Sequence, residues 1–357
     1  MKIAAYDENS TSFLAHKTKQ VLNEATYAGP KTANYIDGDV VSSSGERFYG
    51  AVAIPGGVVL VPYTAGVVGL LGASGAYTAG PAVAGTGRYR GGCLTDNGKV
   101  IFAPALAGNV GIYDIKTNMF SLGAAVSVGT ATGPGFAGCC KMKNGLVFMA
   151  PRNRNTVGIY NPYTDTYAEG PAHGQGADAW SGCVPLPNGK VLMIPFNADA
   201  LMTYDYKTNA LETVATVVGS AQFSGGVALS NGDVVMAPYS KTQIGIYRFA
   251  TSKLYLKSDP SLSGSNKFQG AALTYDGRVL FAPYDYANLM CYDPKTDTLT
   301  TTTAPAGTAK FAGAAQLPNG KIAFAPYTKA NVGIVDTNAG YASSDALRAN
   351  MYFNSTL

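Results

Sequence analysis

Charge is scarce in this chain. Asp, Glu, Lys and Arg supply only 13% of its 357 residues, about half the usual ~25%, and 26 basic against 22 acidic side chains leave a net +4. So thin and even a charge excludes a nucleic-acid footprint, which needs a dense basic stripe, and argues against long solvated helices. Histidine is scarcer still: His16 and His173 are too few for a multi-histidine copper or zinc centre, so no cofactor is expected. Cysteines 93, 139, 140, 183 and 291 are odd in number and lack C-x-x-C spacing. Neither a disulfide framework nor a zinc site follows, and buried free thiols are expected. No apolar run reaches the ~18 residues that cross a membrane, and the opening MKIAAYDENS has no apolar core of a signal peptide. No Gly-x-Ser-x-Gly elbow, Walker-type loop or His-Glu-x-x-His helix occurs.

Glycine is what the chain has in excess, 43 residues, alongside 46% apolar and 11% aromatic residues, enough to bury a core and exclude disorder. The glycines are periodic. An aromatic residue followed two positions later by Gly recurs as Phe48/Gly50, Tyr89/Gly91, Phe136/Gly138, Trp180/Gly182, Phe223/Gly225, Phe268/Gly270 and Phe311/Gly313. From the second copy on, an Asn-Gly or Asp-Gly pair follows, at Gly98, Gly145, Gly189, Gly232, Gly277 and Gly320; the first copy has Gly56-Gly57 at the same spacing and is one residue shorter before its proline. A proline then closes each unit's second apolar run, at 62, 104, 151, 195, 238, 283 and 326.

Asn-Gly between apolar runs predicts a type I′ hairpin, and the unalternating run after it, such as Val279 to Ala282, predicts a strand covered on both faces. A third strand ends in an Asp-x-x-Thr turn, as in Asp114 to Thr117, whose Asp can bond the backbone two residues on. A Thr-rich fourth strand follows. Four antiparallel strands in about 43 residues make a propeller blade. The expected fold is therefore all-β: a seven-bladed β-propeller of four-stranded antiparallel blades, with an N-terminal extension. The glycine after each aromatic belongs on the innermost strand, where backbones crowd the axis. Cys139 and Cys183 fall one step further on, in a slot of small residues shared with Ala51, Gly92, Gly226, Ala271 and Ala314.

The run Leu-Pro-Asn-Gly-Lys-Val-Leu at 186–192, followed by Tyr204-Asp205 and Lys207-Thr208-Asn209, resembles kelch repeats of the galactose-oxidase-like kind over residues 46–340. The pattern departs where a kelch blade has Gly-Gly and this chain has Ala-Pro-Tyr, and the usual fourth-strand Trp is missing. The resemblance implies the fold and not the oxidase chemistry, for which the histidines are lacking. Repeats of Asn-Gly-Lys-Val, Ala-Pro-Tyr and Val-Gly-Ile-Tyr-Asp are also similar to kelch-like structural proteins of tailed-phage virions, which implies a place in a particle.

Residues 1–45 precede the repeats as an N-terminal arm, and residues 341–357 form a C-terminal tail. Thr11 to Ala25 can form a short helix, with Phe13, Leu14 and Val21 available for docking to other virion proteins. The seventh copy lacks a Thr-rich fourth strand after Asp336, so the ring closes through the arm or through the tail at Asn350–Phe353, and the arm either closes it or docks.

The Asn-Gly turns crowd one end of the blades, so the variable loops at the other end are where a site belongs. After the prolines this end presents Tyr63, Ala105, Arg152, Phe196, Tyr239, Tyr284 and Tyr327; the loops add Arg154, Asp199, Asp285 and Tyr286, and the first strands open with Arg88, Arg90, Asp178, Lys267 and Lys310. The candidate binding rim is Arg152, Arg154, Phe196, Asp199, Tyr239, Tyr284, Asp285, Tyr286 and Tyr327. Aromatics mixed with Arg and Asp suit sugar stacking or protein contact; an aromatic repeated in every blade also suits packing beneath the rim. Asp178, Asp199 and Asp285 are the carboxylates that could pair for glycan cleavage. The expected function is a non-enzymatic virion structural protein, a tail or capsid-decorating component acting in protein interaction or host adhesion. The alternative is a carbohydrate-binding or weakly glycan-cleaving propeller. Expected partners are other virion proteins and a cell-surface glycan or protein; no metal, nucleic acid or membrane insertion is expected.

Overall fold

The computed structural model describes residues 33–41, 47–85, 88–126 and 135–337. The expected helix at 11–25, with Phe13, Leu14 and Val21, and the tail strand at 350–353 lie outside the described residues.

The sequence's seven copies fold as seven four-stranded antiparallel sheets, six of them up-and-down meanders in chain order. These span residues 48–82, 89–125, 136–172, 180–216, 223–258 and 268–303 and are blades 1 to 6. Blade 7 takes three strands from residues 311–336 and its outermost from Asn34–Val40. That strand runs antiparallel to Asn331–Asp336, with Tyr35 opposite Val335 and Ile36 opposite Ile334. Closure through the segment ahead of the repeats is thus what the described residues show, and it pairs the open edge that the missing Thr-rich strand would leave.

Each element follows from its local sequence. The second strands carry unbroken Val, Leu, Ile, Met and Phe because neighbouring blades cover both faces: Val58, Val59, Leu60 and Val61 are wholly buried, as are Val279, Leu280 and Phe281. The outer strands are covered only in part, as in Thr298–Thr303, where Leu299 and Thr302 are half-buried and the other four residues face solvent. Between each pair of adjacent blades the inward residues merge into one apolar cluster, seven among the described residues. The cluster that seals the ring joins Phe48 and Leu60 to Ala323, Val332 and Ile334.

The aromatic-x-Gly motif is a β-bulge on the innermost strand: Phe48 pairs with Pro62, but the register slips before Ala51 meets Leu60, and the slip recurs in every blade. The slip turns the glycine toward the axis. A Cβ on Gly50 would lie 2.8 Å from the Cα of Gly91, one on Gly91 2.8 Å from that of Gly138, and so around to Gly313.

The Asn-Gly hairpins are not type I′. Asn97, Asn144, Asn188, Asn231, Asp276 and Asn319 keep negative φ, and only the glycines lie in the left-handed region, as at Gly189 with φ 89°. The Gly189 N–H donates to the Leu186 carbonyl at 2.9 Å, so the turn is type I followed by a left-handed glycine. Pro187 holds the first corner, where a ring-fixed φ near −65° suits type I, but Asp96, Lys143, Ser230 and Tyr275 hold that corner in four other copies with the same glycine N–H bond, so the geometry does not depend on proline. The expected Asp turn between third and fourth strands does form. Asp114 Oδ1 accepts from the N–H groups of Lys116 (2.9 Å) and Thr117 (3.0 Å), and Asn161, Asp205 and Asp293 do likewise two residues on. A second fastening joins it, in which a third-strand tyrosine hydroxyl reaches the left-handed residue five positions later: Tyr113 to Asn118, Tyr160 to Asp165, Tyr204 to Asn209 and Tyr292 to Asp297, at 2.9–3.0 Å.

Candidate functional site

Strands that end on proline at the same height deliver the next side chain to the same place around the axis. At the loop-rich end this builds a continuous arc. The ring centroids step from Tyr63 to Tyr327 (6.2 Å), to Tyr284 (5.7 Å), to Tyr239 (6.1 Å) and to Phe196 (5.3 Å). The Arg152 guanidinium then lies 4.4 Å above the Phe196 ring. Blades 1, 7, 6, 5, 4 and 3 each contribute one member, all half-buried. Blade 2, where Ala105 leaves the gap, fills it from its first strand: Arg90 sits 5.1 Å over Tyr63 and 4.5 Å over Tyr49. The arc therefore ends on a cation at each side, in the two blades that lack a ring.

Burial fixes the chemistry of the rings. It is the main cause that pushes the Tyr239 hydroxyl up to about 12 and that of Tyr284 higher, with neighbouring tyrosines adding to the effect. These phenols remain neutral hydrogen-bond donors and acceptors at any physiological pH.

The remaining candidates separate by role. Arg152 is held by Asp178, Nε to Oδ1 2.5 Å, which aims its plane at Phe196. Arg154 is not on the rim: it pairs with Glu169 and lies 5.2 Å from the Phe136 ring, between strands. Tyr286 packs on Phe268 at 4.8 Å, and its hydroxyl donates to the Ser261 carbonyl (2.7 Å), so it buttresses the blade rather than lining the arc. Asp285 accepts the Ala309 N–H at 2.6 Å and clasps the loop into blade 7, as Asn197 clasps Ala221 (2.8 Å). Asp199 is exposed outside these contacts.

Three of the residues that open the first strands, Arg88, Lys267 and Lys310, are also not presented to solvent. Lys267 and Lys310 are each 1% exposed, their ammonium groups donating to Gly264 O (2.5 Å) and Gly307 O (2.9 Å) in the loop from the previous blade. Gln222 does the same toward Gly219 O at 2.8 Å, whereas buried Arg88 reaches Ala65 O at 3.1 Å in the loop that follows Pro62 in blade 1. Burial lowers the Lys267 amine to about 8. These side chains fasten the loops that carry the arc.

Sequence reasoning named Arg90 at this end but overlooked Tyr49 and Gln269. The position directly after each blade's first aromatic is small in four copies, Ala137, Ser181, Ser224 and Ala312, but holds Tyr49, Arg90 and Gln269 in the others. The Gln269 amide nitrogen donates to the Tyr49 hydroxyl, a bond between blades 6 and 1, which flank blade 7. Departure from a small residue at a repeated position was the available signal. Beneath this mouth the axial channel, about 170 Å³, is lined by glycines and by Ala51, Cys139, Cys183, Ala271 and Ala314. The cysteines are free; Cys139 Sγ lies 3.6 Å from Cys93 Sγ, and that contact together with burial holds the Cys139 thiol well above its usual range. Among the described residues no group of three His, Cys, Asp or Glu is placed to hold a metal ion. His173 is buried, its Nε2 donating to Arg154 O (2.7 Å) while Nδ1 accepts from Gln175 N–H (3.0 Å).

No protein-family model matches this chain, and no curated protein matches its sequence. Solved structures do match its fold. A streptogramin B lyase superposes with a TM-score of 0.74 at 14% identity, over 85% of this chain and 97% of that one. Virginiamycin B lyase from Staphylococcus aureus gives 0.70 at 12%, over 85% and 98%. The WD40 propeller domain of Doa1 gives 0.64 at 13%, over 87% and 100%. At such identities the likeness shows a shared seven-bladed propeller and nothing about activity.

Proposed function

We propose that the chain is a non-enzymatic adhesive propeller of a larger particle, a tail or capsid-decorating component of a tailed-phage virion, whose loop-rich face engages a glycan on the cell surface. The arc from Tyr63 through Tyr327, Tyr284, Tyr239 and Phe196 to Arg152 carries this reading. Aromatic faces stack on the C–H faces of sugar rings, and Tyr and Arg are the residues that anchor interfaces. Rings already packed against one another on strand ends lose little side-chain freedom on binding, which favours affinity. The particle half of the proposal is supported by the resemblance of the repeats to kelch-like phage structural proteins. Binding is favoured over cleavage because two of the three candidate carboxylates are engaged, Asp178 with Arg152 and Asp285 with the Ala309 N–H.

Two measurements test it. Peptide counting on density-purified particles should find the chain in fixed stoichiometry; finding it only free in lysate overturns the particle half. A glycan array probed with the purified chain should show binding that Tyr284→Ala abolishes. Absence of any glycan signal, or a signal indifferent to that change, overturns the adhesive half.

A further inference from the structure

We infer that the axial mouth is a subsite for an acidic sugar, with Arg90 taking a carboxylate on the pyranose ring and Gln269 accepting a hydroxyl of the same sugar. This deepens the adhesive reading and rests on it.

The first observation is an uncompensated cation. Arg152, Arg154, Arg248 and Arg278 are each paired with a carboxylate, from Asp178, Glu169, Asp233 and Asp276. Arg90 has no carboxylate partner among the described residues. Its guanidinium lies between the Tyr49 and Tyr63 rings, one terminal nitrogen reaches the Tyr63 hydroxyl at only 3.4 Å, and its Nε is buried with no partner. Ring faces attract the cation but do not satisfy its N–H donors. A planar fork held in place by two rings and lacking an anion matches a carboxylate.

The second observation is an unmet acceptor. Gln269 is 8% exposed; its amide nitrogen is spent on Tyr49, and its Oε1 is buried without a partner. A buried carbonyl oxygen left unpaired is costly, so the site lacks a donor. Tyr49 connects the two unmet groups, its ring under Arg90 and its hydroxyl on Gln269. A donor and an acceptor both wanting partners, at one mouth walled by Tyr63 and Tyr327, fit a ligand that carries an anion and a hydroxyl on one ring with an apolar face. The equivalent positions in the blades beside them, Ala137 of blade 3 and Ala312 of blade 7, are small.

Calorimetry on the full chain with glucuronic acid, glucose and inorganic phosphate tests the proposal. Glucuronic acid should bind at least tenfold more tightly than glucose and than phosphate. Arg90→Gln should bring the glucuronic acid to glucose ratio near one, and Gln269→Ala should weaken both sugars. Arg90→Lys, which keeps the charge and loses the fork, should cost at least tenfold for glucuronic acid with an unchanged melting temperature, and it stands in should Arg90→Gln fail to fold. Equal affinity for the two sugars, phosphate binding as tight as glucuronic acid, or glucuronic acid binding indifferent to both arginine variants would each overturn it. Array binding that depends on Tyr284 while the Arg90 variants change nothing would sink the subsite and leave the adhesive reading standing.

Discussion

A Cβ on Gly313 would lie 2.7 Å from the Cα of Gly50, so the last blade meets the first through the same backbone contact that joins the others. The propeller's waist is a closed loop of glycines, and its tightness sets how near the axis the mouth residues can come.

The loop is not uniform, which makes it testable. Gly313 has φ 119° and a clash with backbone, whereas a Cβ on Gly182 would make an ordinary 3.7 Å contact, and its φ is not left-handed. Gly313→Ala should destabilise the protein by about 2–5 kcal/mol, from left-handed strain plus overpacking, and Gly182→Ala by under about 1 kcal/mol. Urea unfolding of the two variants checks the difference.

Removing residues 1–41 should unpair the outer edge of Asn331–Asp336 and expose the face that Tyr35 covers on Phe311, 6.1 Å between ring centres. A lowered melting temperature and concentration-dependent association through the bare edge are expected, read by thermal unfolding and size-exclusion chromatography.

Asp165 accepts from the Tyr160 hydroxyl at 2.9 Å and from the Ala124 N–H of the neighbouring blade at 2.7 Å. Asp165→Ala loses both bonds while keeping φ 51°, and should cost about 1–3 kcal/mol by chemical unfolding. Asp205→Ala, which loses a bond to one exposed turn, should cost less.

Burial lowers the His173 pKa below 6.5, although the Arg154 carbonyl opposes the shift. The unfolded chain therefore binds this proton at a higher pH than the folded one. The neutral ring's stabilisation is complete above about pH 6.5 and is lost as pH falls from there toward the folded value, with a slope of at most ~1.4 kcal/mol per pH unit. Unfolding free energies measured from pH 7.5 to 5 should show the fall, and His173→Gln should flatten that part of the profile.

Blade number, strand order and the arc were legible because each is written several times: a proline followed by Tyr or Phe in five copies announces five equivalent ring positions. The hairpin type was misread because Asn-Gly was placed at both corners of the turn, whereas the residue before it (Asp96, Lys143, Pro187, Ser230, Tyr275 or Pro318) takes the first corner, Asn or Asp the second, and the glycine falls after them. Arg154 and Tyr286 looked like rim residues because they break the repeat, but long side chains leaning back onto Phe136 and Phe268 leave no trace in spacing. The mouth was hidden for another reason. Tyr49 and Arg90 come from consecutive blades, but Gln269 lies 220 positions from Tyr49, and only ring closure makes it their neighbour.

The most direct test of the binding face compares glycan-array signals of the wild-type chain with two multiple variants of equal folding stability. One, Tyr239→Ala/Tyr284→Ala/Tyr327→Ala, strips the arc; the other, Lys143→Ala/Lys190→Ala/Lys321→Ala, alters the hairpin end. Loss of at least tenfold in the first with retention in the second is the predicted result. An arc variant that binds like the wild type, or a hairpin variant that loses binding, would contradict the assignment of recognition to the loop-rich face.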